Sequence, residues 1–285
     1  METLQVGRAK LTWLNGGVTH LDGGAMFGVV PKELWAKKYP YNEKNQIELR
    51  TDPIFLELDG FNILIDSGIG WNKLSDKQKR NFGVLEETKI EKSLLELGLT
   101  ENDIHMVLMT HLHYDHANGL TKVAGKEAYE SVFKKAKIYV SQTEWDEMQH
   151  PNIRSVNTYW EKNWKPIVNQ VHLFREEIEV LPGLSMIHTG GHSDGHAIIR
   201  FQDGEDCFLH MADIMPTHAH QNKLWVLAYD DYPVQSVLQK EYWLEQGYRN
   251  NTWFTFYHDA YYRAIRCNEE GRKIDQVERV RYAYK

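Results

Sequence analysis

The stretch Thr110–Gly119, THLHYDHANG, places three histidines and one aspartate in six consecutive positions and starts at the last residue of the apolar run HMVLMT at 105–110. An apolar run this short, bounded by polar residues, predicts a buried strand, so the cluster begins where a strand ends. In extended backbone His111 and His113 share one side, and Asp115 and His116 follow where the strand gives way to a loop. Imidazole and carboxylate are ligands that zinc and similar divalent ions accept, and the lack of cysteine nearby argues against a closed structural site. Four candidate ligands in one stretch suit two adjacent ions better than one. A solvated histidine-rich loop is the plain alternative in a chain with 14 histidines, and the ligand spacing weighs against it.

The rest of the chain must then supply more ligands and a core to hold them. With 285 residues and 42 % apolar content a substantial core is feasible, and no repeat or linker divides the sequence, so 1–285 reads as one domain. A net charge of -7 leaves no basic excess for nucleic acid. The two cysteines, Cys207 and Cys267, share no finger or redox spacing, no apolar run approaches a membrane span, and the first residues lack a signal-peptide core. These features predict a cytoplasmic protein with no membrane partner, and nothing in them indicates a homo-oligomer.

Local patterns outline the elements. IFLEL (54–58) and NILID (62–66) flank Asp59-Gly60 and predict a hairpin. Ile90, Leu94 and Leu97 recur at helical spacing over 88–98, with Thr88 and Glu91 placed as a capping box and Gly98 as a stop. Strands are expected at 137–141, 184–188, 196–201, 207–213 and 252–258, and helices near 144–149 and 234–246. Strands and helices mixed along the whole length, with an early hairpin, predict an α/β sandwich and not a purely parallel sheet.

Three isolated residues at predicted strand or turn ends meet the demand for further ligands: His192 in HTGGHSDGH, where glycines let the backbone turn closely, Asp213 closing CFLHMAD, and His258 closing TWFTFYH. His188 and His196, four residues to either side of His192, are its competitors. His210 reads as packed beside the site, while His105, His150 and His172 carry no ligand pattern and read as surface residues.

Taken in order, LIDSGIG (64–70), THLHYDHANG, HTGGHSDGH, MADIMP (211–216) and FYHDA (256–260) resemble the metallo-β-lactamase superfamily, and within it the dinuclear lactonases that open N-acyl homoserine lactones. GGAMFGVVP (23–31) and PTHAHQNKLWVLAYDDYP (216–233) are similar to the YtnP-like quorum-quenching branch. The resemblance implies an αββα sandwich of two mixed sheets flanked by helices. It implies that His111, His113 and His192 hold one divalent ion, that Asp115, His116 and His258 hold the other, and that Asp213 bridges them. It also implies that Asp66 orients a metal-bound histidine; a simple turn aspartate is the alternative.

Two ions sharing a water lower its pKa toward neutrality, so the expected reaction is attack of a bridging hydroxide on a lactone carbonyl, releasing the ring-opened hydroxy acid. Zinc is the first expectation, with iron, cobalt and manganese compatible. Asp115 is the candidate proton carrier, or a ligand alone. Related lactonases place a tyrosine three residues after the bridging aspartate, where this chain has Pro216; His218, Tyr229 and Tyr232 are candidate substitutes, with packing as the alternative for each. Met26 and Phe27 are candidate substrate contacts, unless they pack in an N-terminal strand. A phosphotriester or thioester hydrolase, and a metal-dependent binding protein without catalysis, remain the alternatives.

Overall fold

The computed structural model describes residues 1–126 and 128–280. Two seven-stranded mixed sheets lie face to face. The first runs, in spatial order, Thr3–Val6, Ala9–Trp13, Ile54–Leu58, Phe61–Ile65, Met106–Leu108, Lys137–Ser141 and Val171–Phe174, antiparallel at its start and parallel from Phe61–Ile65 onward. The second runs Glu177–Leu181, Leu184–His188, Ala197–Asp203, Asp206–His210, Trp253–Thr255, Tyr262–Cys267 and Lys273–Glu278. Its one parallel pair joins Asp206–His210 to Trp253–Thr255. The helix Pro233–Arg249 makes that crossover, since parallel neighbours cannot be joined by a tight turn.

Alternation along each strand sorts side chains between layers. Leu56, Ile63 and Leu108 from the first sheet meet Met186, Ile199, Phe201 and Phe208 from the second, all buried in one cluster. Their neighbours Phe55, Leu64, Val107 and Val140 point outward onto Ile90, Leu94 and Met148 of the helices Ile90–Glu96 and Gln142–Gln149. On the far side, Leu209, Phe254 and Ile265 pack against Trp243 and Leu244 of Pro233–Arg249. The layers are therefore helix, sheet, sheet, helix. A smaller sheet of Val18–Asp22, Gln46–Arg50 and Val84–Glu86 lies beside the sandwich and is tied to it where Arg50 N donates to His258 O at 2.9 Å. No helix among the described residues is long and apolar enough to cross a membrane.

Some local expectations are corrected. The capping box at Thr88 does not form: the helix starts at Ile90 with Lys89 as its cap, because Thr88 donates its hydroxyl to Asn15 O and its N–H to Gly70 O. The predicted strands 207–213 and 252–258 stop at His210 and Thr255, short of their expected ligands. GGAMF forms a helical turn, Gly23–Phe27, and not an N-terminal strand, capped by Asp22 accepting from Ala25 N at 2.9 Å.

Candidate metal centre

The candidate ligands gather in turns and short helical segments that follow strands, where backbone can leave the sheet. His111 follows the strand Met106–Leu108, and His113 caps the short helix Tyr114–Ala117 that carries Asp115 and His116. His192 lies in a tight turn entered through Gly190 and Gly191, with φ of 62° and 98°. A Cβ on Gly191 would stand 2.9 Å from Ser236 N, so that turn requires glycine for space as well as conformation. Asp213 follows Ala212, whose φ of 44° is left-handed and costs about 1 kcal/mol, a strain sustained by a fully packed surround.

The ligand atoms converge. His111, His113 and His192 form one group, Asp115, His116 and His258 another, and Asp213 joins His111 and His116, with the atoms in each group within 4.8 Å of one another. Asp213 stands between the groups: Oδ1 lies 3.1 Å from His258 Nε2 and 3.4 Å from His116 Nε2, while Oδ2 lies 3.4 Å from His192 Nε2 and 4.0 Å from His111 Nε2.

Four of the five histidines are oriented by a partner on Nδ1. His116 donates to Asp66 Oδ2 at 2.9 Å, His192 to Asp230 Oδ1 at 2.8 Å, and His258 to Arg50 O at 2.6 Å. His111 pairs with Thr110 Oγ1 at 3.0 Å, and that hydroxyl donates onward to Asp66 at 2.9 Å. With Nδ1 engaged, each ring turns its Nε2 inward as an acceptor. His113 instead presents Nδ1, 3.0 Å from His192 Nε2.

Burial and the neighbouring charges pull the histidines in different directions, and Asp213 with Asp230 raises His192 to about 8 against its burial. Burial, then the neighbouring imidazoles, push His111 and His113 well below the usual histidine range, toward the neutral form a metal requires. Burial alone would lower His116, but Asp213 and Asp66 beside it raise it. Asp213 is held well below the carboxylate range, because His258, His116 and His192 outweigh its burial. His111 Nε2 and Asp213 Oδ1 are buried and find no hydrogen-bond partner among the described residues. Orphaned acceptors aimed at a common centre, in an all-nitrogen and oxygen donor set, fit two divalent ions.

The remaining candidates are placed as follows. Asp115 is 17 % exposed and reaches the cleft above the centre, with Oδ2 3.6 Å from His258 Nε2. That cleft, about 360 Å³, is also lined by Met26 and Tyr229. Phe27 does not line it: the ring is stacked between Trp35 at 5.0 Å and His220 at 4.5 Å, a buried packing position. Neither His218 nor Tyr232 lines the cleft; His218 pairs with Asp259 at 2.6 Å beside Tyr262, and Tyr232 is solvent-exposed. Neither competitor of His192 enters a ligand group: His196 accepts from Asp213 N and His188 donates to Asp194 O. His210 is buried against Thr255, and His105, His150 and His172 are exposed.

Sequence reasoning missed Asp230, Arg50 and the fully buried Glu144. Asp230 adjoins Asp231 in an acidic pair that reads as ordinary loop, and Arg50 acts through a backbone carbonyl that no residue type marks.

Comparison with known proteins agrees with this geometry. The family model of the metallo-beta-lactamase superfamily matches residues 48–240, more than half of the chain. An N-acyl homoserine lactonase of a Bacillus species is 26 % identical over 150 residues, 50 % of this chain, and the match spans about half (54 %) of that relative's length. Among solved structures, a probable metal-dependent hydrolase from Staphylococcus aureus is 48 % identical with a TM-score of 0.94, covering 98 % of this chain and 100 % of that one. AidC, a dizinc quorum-quenching lactonase solved with a product, has a TM-score of 0.78 over 99 % of this chain and 98 % of its own, at 16 % identity, a likeness of fold. With two mixed sheets flanked by helices and the ligand-bearing turns gathered around Asp213, the chain belongs to the metallo-β-lactamase superfamily.

Proposed function

We propose that this protein is a dinuclear metal-dependent hydrolase, with zinc in both positions, that opens the lactone ring of N-acyl homoserine lactones. The observation that carries the reading is the division of ligand atoms around the Asp213 carboxylate at the floor of a largely apolar-walled cleft. Similarity to N-acyl homoserine lactonases over half the chain supports the choice of substrate. When bound, two divalent ions supply a hydroxide near neutral pH and polarise the carbonyl that it attacks.

The protein's own groups do the rest. Asp213 keeps the two ligand groups in register, and Asp66 and Asp230 hold His116 and His192 in the tautomer that faces inward. Asp115, the ligand most open to the cleft, is placed to take a proton from the attacking water and return it to the departing ring oxygen. Of the candidates His218, Tyr229 and Tyr232, Tyr229 is the one that lines the cleft, which supports its hydroxyl as the group that meets a substrate carbonyl. Leu21, Met26, Leu49 and Leu227 give the walls an apolar surface for an acyl chain. A core cluster shared by both sheets supports a single domain over 1–285.

The test is a rate comparison on the metal-loaded protein across homoserine lactones of several acyl lengths, a phosphotriester and a thioester. Lactones are expected to be turned over fastest, and Asp115→Asn to slow them. Faster phosphotriester or thioester hydrolysis would refute the substrate, and no hydrolysis of any class would point to a binding protein.

A further inference from the structure

We propose that Glu144 is a positioning residue that sets one metal position selectively, the His111, His113 and His192 group, by tying both ligand-bearing loops to a single carboxylate. The inference rests on the two-ion reading of the centre and not on the identity of the substrate.

Glu144 is fully buried on the helix Gln142–Gln149. Its Oε1 accepts from Leu112 N at 2.6 Å, the peptide between His111 and His113, and from the Tyr159 hydroxyl at 3.0 Å. Its Oε2 accepts from Ser193 Oγ at 2.6 Å, the residue next to His192. The Tyr159 ring in turn lies 5.2 Å from the His113 ring. One side chain is thus hydrogen-bonded within one residue of all three ligands in the group.

The carboxylate is itself anchored. Glu144 N donates to Ser141 Oγ at 3.0 Å, and that hydroxyl donates to Gly195 O at 2.6 Å. One turn along, Glu147 accepts from Asp194 N at 2.8 Å. A Cβ on Gly195 would stand 1.9 Å from Glu144 N, so helix and ligand turn meet backbone to backbone. Such an anchor has work to do, because His113 Nδ1 and His192 Nε2 stand 3.0 Å apart. The two rings come from different loops, so their separation is set by whatever fixes those loops to each other. His116 and His258 have other supports, Asp66 and Arg50 O, and none of the hydrogen bonds of Glu144 reaches them.

The experiment is cobalt(II) titration of the metal-free protein, followed by visible absorption with a competing chelator. His192→Ala and His258→Ala proteins mark which spectrum belongs to which group. Glu144→Ala is expected to weaken the His111, His113 and His192 group by about tenfold to a hundredfold, the usual effect of removing a group that orients ligands, and to leave the other group at its wild-type affinity. Glu144→Gln keeps an oxygen for Leu112 N and Tyr159 and is expected to recover most of the loss. Ser193→Ala cuts one arm only and should weaken the same group more mildly, which tests the idea even if Glu144→Ala does not fold. Unchanged affinity at both groups in these variants, or equal weakening at both, would overturn the assignment. Wild-type protein that binds fewer than two cobalt ions would refute the two-ion reading beneath it, a result distinct from any failure on lactones.

Discussion

Asp52 lies behind the centre and links its geometry to stability in acid. It is fully buried and accepts four hydrogen bonds: Arg50 Nε at 2.9 Å, Arg50 Nη2 at 3.0 Å, Arg263 Nη1 at 2.6 Å and Gly16 N at 2.8 Å. Burial alone would raise its pKa, but the guanidinium groups of Arg50 and Arg263 outweigh burial and bring it from 3.8 to about 2. A carboxyl depressed in the folded state adds stability that is present above its unfolded value and is lost as pH falls toward the folded one. The window is therefore from about pH 4 down to about pH 2. Nearly two pH units, at about 1.4 kcal/mol each, make that contribution about 2.5 kcal/mol.

Asp52→Asn removes the titration and leaves the buried Arg50 guanidinium without its carboxylate, while Arg263 keeps Glu2 at 3.0 Å, so the loss is about 3 kcal/mol at neutral pH. Urea unfolding of the metal-free wild-type and variant proteins, read by tryptophan fluorescence from pH 7 down to pH 2.5, separates the two effects. The stability gap should be widest at neutral pH and should narrow as the wild-type carboxyl begins to protonate. A gap that stays constant across the whole range would refute the reasoning, because the wild-type carboxyl would then carry no depressed titration. The Arg50 carbonyl also receives His258 Nδ1, so the variant should bind metal more weakly at the Asp115, His116 and His258 group.

Three further perturbations test the site. Asp66→Ala leaves His116 Nδ1 and Thr110 without an acceptor and should reduce metal affinity at the His116 group by about tenfold to a hundredfold in chelator competition. Gly195→Ala forces a Cβ against Glu144 N and should cost about 3 kcal/mol in denaturant unfolding, since neither backbone can move aside cheaply. Tyr229→Phe should slow lactone opening by about tenfold, the worth of one hydrogen bond in the transition state, while Tyr232→Phe, which lies outside the cleft lining, should leave the rate unchanged.

Features with local causes could be read from the chain. The hairpin at Asp59-Gly60 forms because both residues take positive φ, 50° and 82°, in a two-residue turn between alternating strands. The histidine cluster was legible because its members are contiguous and stand at the end of an apolar strand. The small sheet holding Val18–Asp22 and Gln46–Arg50 was not: Gln46–Arg50 alternates polar and apolar residues over only five positions, its partner Val18–Asp22 does not alternate, and the pairing between them is remote. The strands before Asp213 and His258 were drawn too long because an apolar run does not show where backbone must leave a sheet; Ala212 turns left-handed there. Phe27 beside glycine carries the same signal whether it packs or lines a cleft, and only the positions of Trp35 and His220 decide it. The groups that orient the ligands, Asp230 and the Arg50 carbonyl, lie far along the chain from the rings they hold and have no spacing to betray them.

The central claim is that seven side chains hold two metal ions in a lactone-opening centre. The most direct test is to count metal per chain in the purified protein while following acid release from an N-acyl homoserine lactone, for wild type and for Asp213→Ala. The account predicts two ions per wild-type chain, with ring opening that rises with occupancy, and loss of both paired occupancy and turnover once the carboxylate between the groups is gone. A single ion per fully active wild-type chain, or an Asp213→Ala protein that keeps two ions and full turnover, would contradict it.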